Sequence, residues 1–264
     1  MRIEDIDPPR EVDGAADDIL RTLEAFGMYW DGPVVYQSRR ADAYLNAIDQ
    51  LTRLGAIYPC ACSRSEIADS SLTGIDGPVY AGTCRDGLPP GRAARALRVR
   101  TDDGLIEFSD RWQGVVGRRL QSAFGDFVVK RADGPIAYQL AAAVDDAAQD
   151  ITEVVRGADL LESTPRQIHL QRLLNVPTPL YAHLPVVVNA GGEKLSKQTA
   201  AARVDANHPQ PVLSMVLRFL GQDPPAGWQQ ASLDDFWRYA IVNWRADSVP
   251  RERTIAIEPL PGKS

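Results

Sequence analysis

The chain has 264 residues, 44% of them hydrophobic, a formal net charge of −6 and three cysteines. That is enough apolar residue for one large or two small cores, and no apolar run approaches the roughly 20 residues a membrane helix needs, so no membrane partner is expected. The acidic balance disfavours a broad nucleic-acid footprint but allows one local basic face, with Arg118, Arg119, Lys130 and Arg131 as candidates, and the odd, clustered cysteines point to a reducing, cytoplasmic setting.

In chain order, MRIEDIDPPR crowds Glu4, Asp5 and Asp7 ahead of two prolines, so residues 2–7 read as a short element ending in a turn. Asp13 is placed as the N-cap of a helix with Ile19, Leu20, Leu23 and Phe26 on one face, stopped by Gly27. Ser38 is placed as the cap of a second helix carrying Tyr44, Leu45, Ile48, Leu51 and Leu54, ended by Gly55. AIYPCAC then reads as a short strand or turn. Residues 70–92 are rich in Gly, Pro, Ser and Thr without periodicity, and cannot order themselves by apolar burial.

RALRVR, GLIEFSDRW and DFVVKR alternate as strands, the last turning at residues 133 and 134 before an apolar segment from 138 to 144. DITEVVRGADLLESTPRQIHLQRLL reads as a strand over 151–156, a glycine turn and a helix through Ile168, Leu170 and Leu173, one strand-to-helix unit of an α/β sheet. HLPVVVN is a further buried strand leading into the loop AGGEKLSKQ, and PVLSMVLRFLG and LDDFWRYAIVNW form two amphipathic helices.

Three constellations carry chemistry. Cys60, Cys62 and Cys84 supply three thiolates in two short-spaced groups, as a closed zinc site does, with the fourth ligand a histidine, carboxylate, water or the phenolate of Tyr80, which stands where the second pair would begin. The plain alternative is three incidental thiols, but a metal would explain how a glycine-rich loop is ordered. Lys194 and Lys197 bracket Leu195 and Ser196 in a glycine-bearing loop after a strand; ammonium groups there suit phosphate oxygens, or else form a solvated surface. Arg156 ends a strand, where α/β sheets place ligands, and its guanidinium can take a carboxylate in a two-toothed fork or form a surface ion pair. Tyr138 reads by default as core, and Glu4 either receives an ammonium or pairs with Arg2 or Arg10. His169, His183 and His208 show no metal or nucleophile spacing and read as structural, and no glycine-rich nucleotide loop is present.

Taken in this order, RIEDIDPPR, CAC…Y…C, IAYQLA, VVRGADLL and KLSKQ resemble the glutamyl-tRNA synthetase-like family of class I, over nearly the whole chain. The resemblance implies an α/β, Rossmann-like class I aminoacyl-tRNA synthetase catalytic domain with an inserted zinc-binding subdomain and a short helical C-terminal region. It divides the chain into an incomplete catalytic half (1–58), the zinc insertion (59–92), the remaining catalytic domain with the lysine loop (93–200) and a stem-contact-like tail (201–264). KLSKQ is the family's form of the KMSKS signature, so Lys194 and Lys197 would act on ATP, with Mg²⁺ on its phosphates. Glu4, Tyr138 and Arg156 would bind L-glutamate, and Cys60, Cys62, Tyr80 and Cys84 would hold one structural Zn²⁺, with the phenolate as fourth ligand.

The short sequence after Gln198 resembles the family's short paralogues, which pass glutamate to queuosine in tRNA(Asp) and activate it without tRNA. A conventional glutamyl-tRNA synthetase fragment and a non-catalytic, zinc-containing RNA-binding remnant are the alternatives. The family opens with a strand and a segment bearing the HIGH signature, which this sequence lacks. The upstream reading frame is therefore expected to encode it, and the chain as written to fold poorly or be inactive. A monomer is expected.

Overall fold

The computed structural model describes residues 1–69, 73–195 and 204–256. Helices Ala41–Arg53, Tyr138–Ala148 and Thr164–Leu174 pack their apolar sides together and against two sheets, burying Leu51, Val99, Val129, Leu140, Ile168 and Leu170 in one core. The first sheet has the order Glu153–Gly157, Leu180–Leu184, Leu105–Asp110, Gly114–Arg119. Its first two strands run parallel, setting Arg156 opposite His183, and Tyr181 bridges to Asp110. The parallel pair is joined through the helix Thr164–Leu174, the crossover that parallel strands require. The last two strands form an antiparallel hairpin.

The second sheet is antiparallel, with Ala96–Val99 between Ile57–Cys60 and Val128–Lys130. The insertion grows from the end of its Ile57–Cys60 strand and docks back through a bridge between Tyr80 and Gly125. Gly125 has a left-handed backbone (φ 67°), and a Cβ there would stand 2.9 Å from the Tyr80 carbonyl oxygen, so only glycine allows this approach. The helices Pro209–Phe219 and Leu233–Val242 form as the sequence implies and close over Phe26, with Trp237 Nε1 donating to the Phe26 carbonyl at 2.8 Å.

Several local expectations change. The first helix is Ala15–Ala25 and starts from Gly14 in the left-handed region, with no side-chain cap, so Asp13 does not cap it. Ser38 does not cap Ala41–Arg53 either; its N–H and hydroxyl donate to the Asp5 carboxylate at 2.9 and 2.6 Å, tying the opening segment down instead. HLPVVVN is two strands, Leu180–Leu184 and Val186–Val188, parted at Pro185, which has no N–H for a ladder. The second of them pairs with Thr254–Ala256. The strand Gly114–Arg119 was unannounced, because its two glycines and two terminal arginines blur the alternation. Among the described residues no helix is long and apolar enough to cross a membrane.

Candidate active site and thiol cluster

Arg156 stands at the C-terminal end of its strand, followed by Gly157 and the 3₁₀ turn Ala158–Ser163. Its Nε donates to His183 Nε2 at 3.1 Å, Nη1 to the Tyr138 hydroxyl at 3.3 Å, and Nη2 to Thr164 Oγ1 at 2.8 Å and Gln167 Oε1 at 2.9 Å. All these partners are neutral, and Arg156 makes no ion pair among the described residues. Of a guanidinium's five N–H groups, one on Nη1 is left without a partner there. A two-toothed fork on a ligand carboxylate would therefore displace a present bond. One Nη1–H together with the Tyr138 hydroxyl is the grip the geometry offers directly.

The guanidinium is aimed from behind. His183 is fully buried, and its Nδ1 lies 2.6 Å from Asp110 Oδ2. Asp110 Oδ1 accepts the backbone N–H groups of Trp112, Gln113 and His183 at 3.1, 2.9 and 3.1 Å. Burial pushes the Asp110 carboxyl up, but these donors outweigh it and hold the group below its ordinary value, hence ionised. The Asp110 carboxylate keeps the imidazole proton on Nδ1, leaving Nε2 to accept from Arg156. Asp110, Thr164 and Gln167 were not foreseen, and His183 was read only as structural. Asp110 and His183 are 73 positions apart, so only strand pairing brings them together.

Tyr138 opens the helix Tyr138–Ala148 with its hydroxyl at Arg156, so it faces the site as well as the core. Burial raises its phenol above the ordinary value, Arg156 opposes this, and the charges of Glu4 and Asp146 add to it. Glu4 is therefore within electrostatic reach of Tyr138, and its pairing with Arg2 is present: its carboxylate accepts from Arg2 at 3.1 Å, while Arg2 also binds Asp146 at 2.8 Å. Lys194 bridges to Val188 and places Nζ 2.5 Å from Asp159 Oδ2, in the turn whose Leu160 carbonyl also faces Arg156. The structure thus gathers Glu4, Tyr138, Arg156 and the base of the lysine loop around one strand end. Lys197 lies outside the described residues.

The cysteines form a separate cluster. The three Sγ atoms lie within 4.8 Å of one another, Cys62 and Cys84 at 3.7 Å. Tyr80 Oη sits 3.5 Å from Cys60 Sγ and 3.9 Å from Cys62 Sγ, and accepts the Cys84 N–H at 2.7 Å. A tetrahedral zinc with bonds of about 2.3 Å to sulfur and about 2.0 Å to oxygen sets sulfurs about 3.8 Å apart and sulfur from oxygen about 3.5 Å. The donor set and its spacing fit that ion. Against the cost of burial, the Tyr80 hydroxyl, the Cys62 N–H and Arg98 hold the Cys60 thiol below its ordinary value, whereas burial and the neighbouring thiols push Cys62 up to about 11. The phenol of Tyr80 is likewise raised, chiefly by burial.

Comparison with known proteins gives the family and the fold. The family model described as class I tRNA synthetases (E and Q), catalytic domain, matches residues 1–236. The chain is 57% identical over 252 residues to a glutamyl-Q tRNA(Asp) synthetase of Aromatoleum aromaticum, covering 96% of this chain and 80% of that one. It is 55% identical to the protein of the same name from Dechloromonas aromatica (strain RCB), covering 97% and 86%. Among solved structures, the glutamate-tRNA synthetase of Elizabethkingia anophelis superposes with a TM-score of 0.73 at 23% identity. This chain spans 59% of that one, with 95% of its own length matched, and the likeness is one of fold.

Proposed function

Because the chain belongs to the class I tRNA synthetase family of the E and Q type, and is therefore a ligase of glutamyl-tRNA synthetase-like function, we propose that it activates L-glutamate with ATP and passes the glutamyl group to queuosine of tRNA(Asp) in the cytoplasm. The relatives' names motivate the queuosine acceptor. The observation that carries glutamate binding is the Arg156 guanidinium, held by neutral groups at a strand end with one Nη1–H and the Tyr138 hydroxyl on the same side. An anionic carboxylate is the partner such a guanidinium lacks.

In this reading Arg156 and Tyr138 position a glutamate carboxylate, and Glu4, held beside Tyr138 by Arg2, receives the ammonium. A glutamate carboxylate oxygen attacks the α-phosphorus of ATP, pyrophosphate leaves, and a hydroxyl of the queuosine cyclopentenediol then attacks the acyl carbon to release AMP. Lys194 and Lys197 hold the phosphates from the loop, where their charge counts most as the pentavalent centre develops. Mg²⁺ on the phosphates adds charge neutralisation. Cys60, Cys62, Tyr80 and Cys84 hold one structural zinc that orders the insertion.

The test is glutamate-dependent ATP–pyrophosphate exchange without tRNA, followed by transfer of labelled glutamate to queuosine-containing tRNA(Asp), to the same tRNA lacking queuosine, and to tRNA(Glu). Exchange with transfer to the first alone is the expected result. Transfer to tRNA(Glu) instead would replace the queuosine reading with that of a conventional glutamyl-tRNA synthetase.

A further inference from the structure

Arg98 is a buried cation whose surroundings are unusual. It is 7% exposed, lies on Ala96–Val99, and faces Tyr58 across the antiparallel pair, with Cys60 two residues further along the same face. Its Nε donates to Cys60 Sγ at 3.3 Å, its Nη1 to the Asp126 carbonyl at 2.6 Å, and its Cζ lies 4.0 Å from the centre of the Tyr80 ring. Among the described residues no carboxylate pairs with it. The nearby Asp126 carboxylate is taken by Arg85 at 3.1 Å, by the Tyr58 hydroxyl at 2.6 Å, and by the N–H and hydroxyl of Thr101 at 2.7 and 2.8 Å.

A guanidinium removed from water without an anion is costly, and the groups it touches are a sulfur, an aromatic face and a carbonyl. The sulfur and the ring belong to two of the four groups whose spacing fits zinc. Three thiolates and a phenolate around a divalent ion leave an excess of two negative charges, which a buried site also cannot hold unpaired. One guanidinium offsets one of those two charges, so each half of the arrangement lowers the cost of the other.

We propose that Arg98 is the charge-balancing outer partner of the metal site, fixing Cys60 by its hydrogen bond and Tyr80 by stacking on its ring. The inference rests on the zinc reading above and goes beyond it, since it assigns to a residue outside the ligand set the stability of the metal-bound form. Stacking on the ring face holds the phenol oxygen among the sulfurs, and the Nε–H to sulfur bond lowers the donor strength of that sulfur toward the metal.

The experiment uses the full chain, with Zn²⁺ affinity measured by competition against a chromophoric chelator and the spectrum recorded with Co²⁺ in place of zinc. Arg98→Gln is expected to weaken Zn²⁺ binding by about 10- to 100-fold. It should also move the sulfur-to-cobalt charge-transfer band to longer wavelength, because a thiolate without its cationic donor gives up electron density more readily. A structural role alone would leave that band in place. Wild-type affinity and an unshifted band in Arg98→Gln would overturn the inference while leaving the zinc reading intact. Failure of the unsubstituted chain to bind either ion would remove the zinc reading itself. Should Arg98→Gln fail to fold, Arg98→Met decides: it removes the charge and the N–H donors but keeps an unbranched apolar chain, so weaker binding with a shifted band supports the inference, and wild-type behaviour overturns it.

Discussion

Arg156 and Arg98 are both arginines on short strands, each over a tyrosine ring and each without a carboxylate partner among the described residues. Their settings differ. Arg156 is held by a histidine, a phenol, a hydroxyl and an amide, all neutral and all fixed by helices and strands that share the main core. Arg98 touches the edge of a small cluster, Tyr58, Cys60, Ala61, Tyr80 and Cys84, which has little apolar area of its own. The first site is organised by folding, through side chains that the main core fixes. The second gathers three sulfurs and a phenol oxygen at the spacing of a tetrahedral ion's ligands.

The sharpest way to separate the two is to remove a thiol. Cys84→Ser is expected to abolish bound zinc, which in small structural sites is worth about 10–16 kcal/mol. Limited proteolysis should then cut within residues 73–92 much faster, while far-ultraviolet dichroism keeps the signal of the core helices. If the core helices melt together with the insertion, the two regions are not organised independently.

Next in size is Arg156→Lys. It keeps the charge but loses the geometry that four neutral groups hold, and about 2–5 kcal/mol is expected to disappear from glutamate recognition. This corresponds to at least about a 30-fold drop in kcat/KM for glutamate in pyrophosphate exchange, with zinc content unchanged. An unchanged kcat/KM would remove Arg156 from the glutamate site.

Asp110→Asn is expected to have a smaller effect. The amide turns an N–H toward His183 Nδ1, favouring the tautomer with the proton on Nε2, which then faces Arg156 Nε–H. Glutamate KM should rise about tenfold with kcat little changed, and stability should fall by about 1–3 kcal/mol. The pH dependence has a defined sign. Since the folded Asp110 carboxyl lies below its ordinary value, the stability it contributes is present above the unfolded value of about 3.9 and is lost as pH falls through the folded one. Urea midpoints measured from pH 6 to pH 3 should therefore fall less in Asp110→Asn than in the wild type.

Sequence reading found what local pattern encodes. The strand carrying Arg156 shows in its hydrophobic run, and the grouping of Cys60, Cys62 and Cys84 in their spacing. It did not find Asp110, because the contact to His183 depends on the register of strands 73 positions apart. Caps failed for a related reason. Asp13 and Ser38 have suitable side chains before helices, but Gly14 turns the chain by itself and Ser38 is drawn away to Asp5, 33 positions earlier. Within RALRVR, Arg98 is one polar residue of an alternating strand, and only the fold brings Cys60 and Tyr80 against it.

The smallest expected change in stability is at Lys194, which tests whether the strand-end site extends to the lysine loop. Its ammonium meets Asp159 at 2.5 Å, but about half of the side chain remains in water. An exposed pair of this kind contributes under about 1 kcal/mol, because solvent screens it and holding two side chains costs entropy. Lys194→Gln should therefore leave the urea midpoint nearly unmoved. A structural role for the pair predicts that nothing further happens. If the loop serves ATP as proposed, pyrophosphate exchange falls at least tenfold in the same folded protein, with the loss in the ATP parameters and the glutamate KM unaltered.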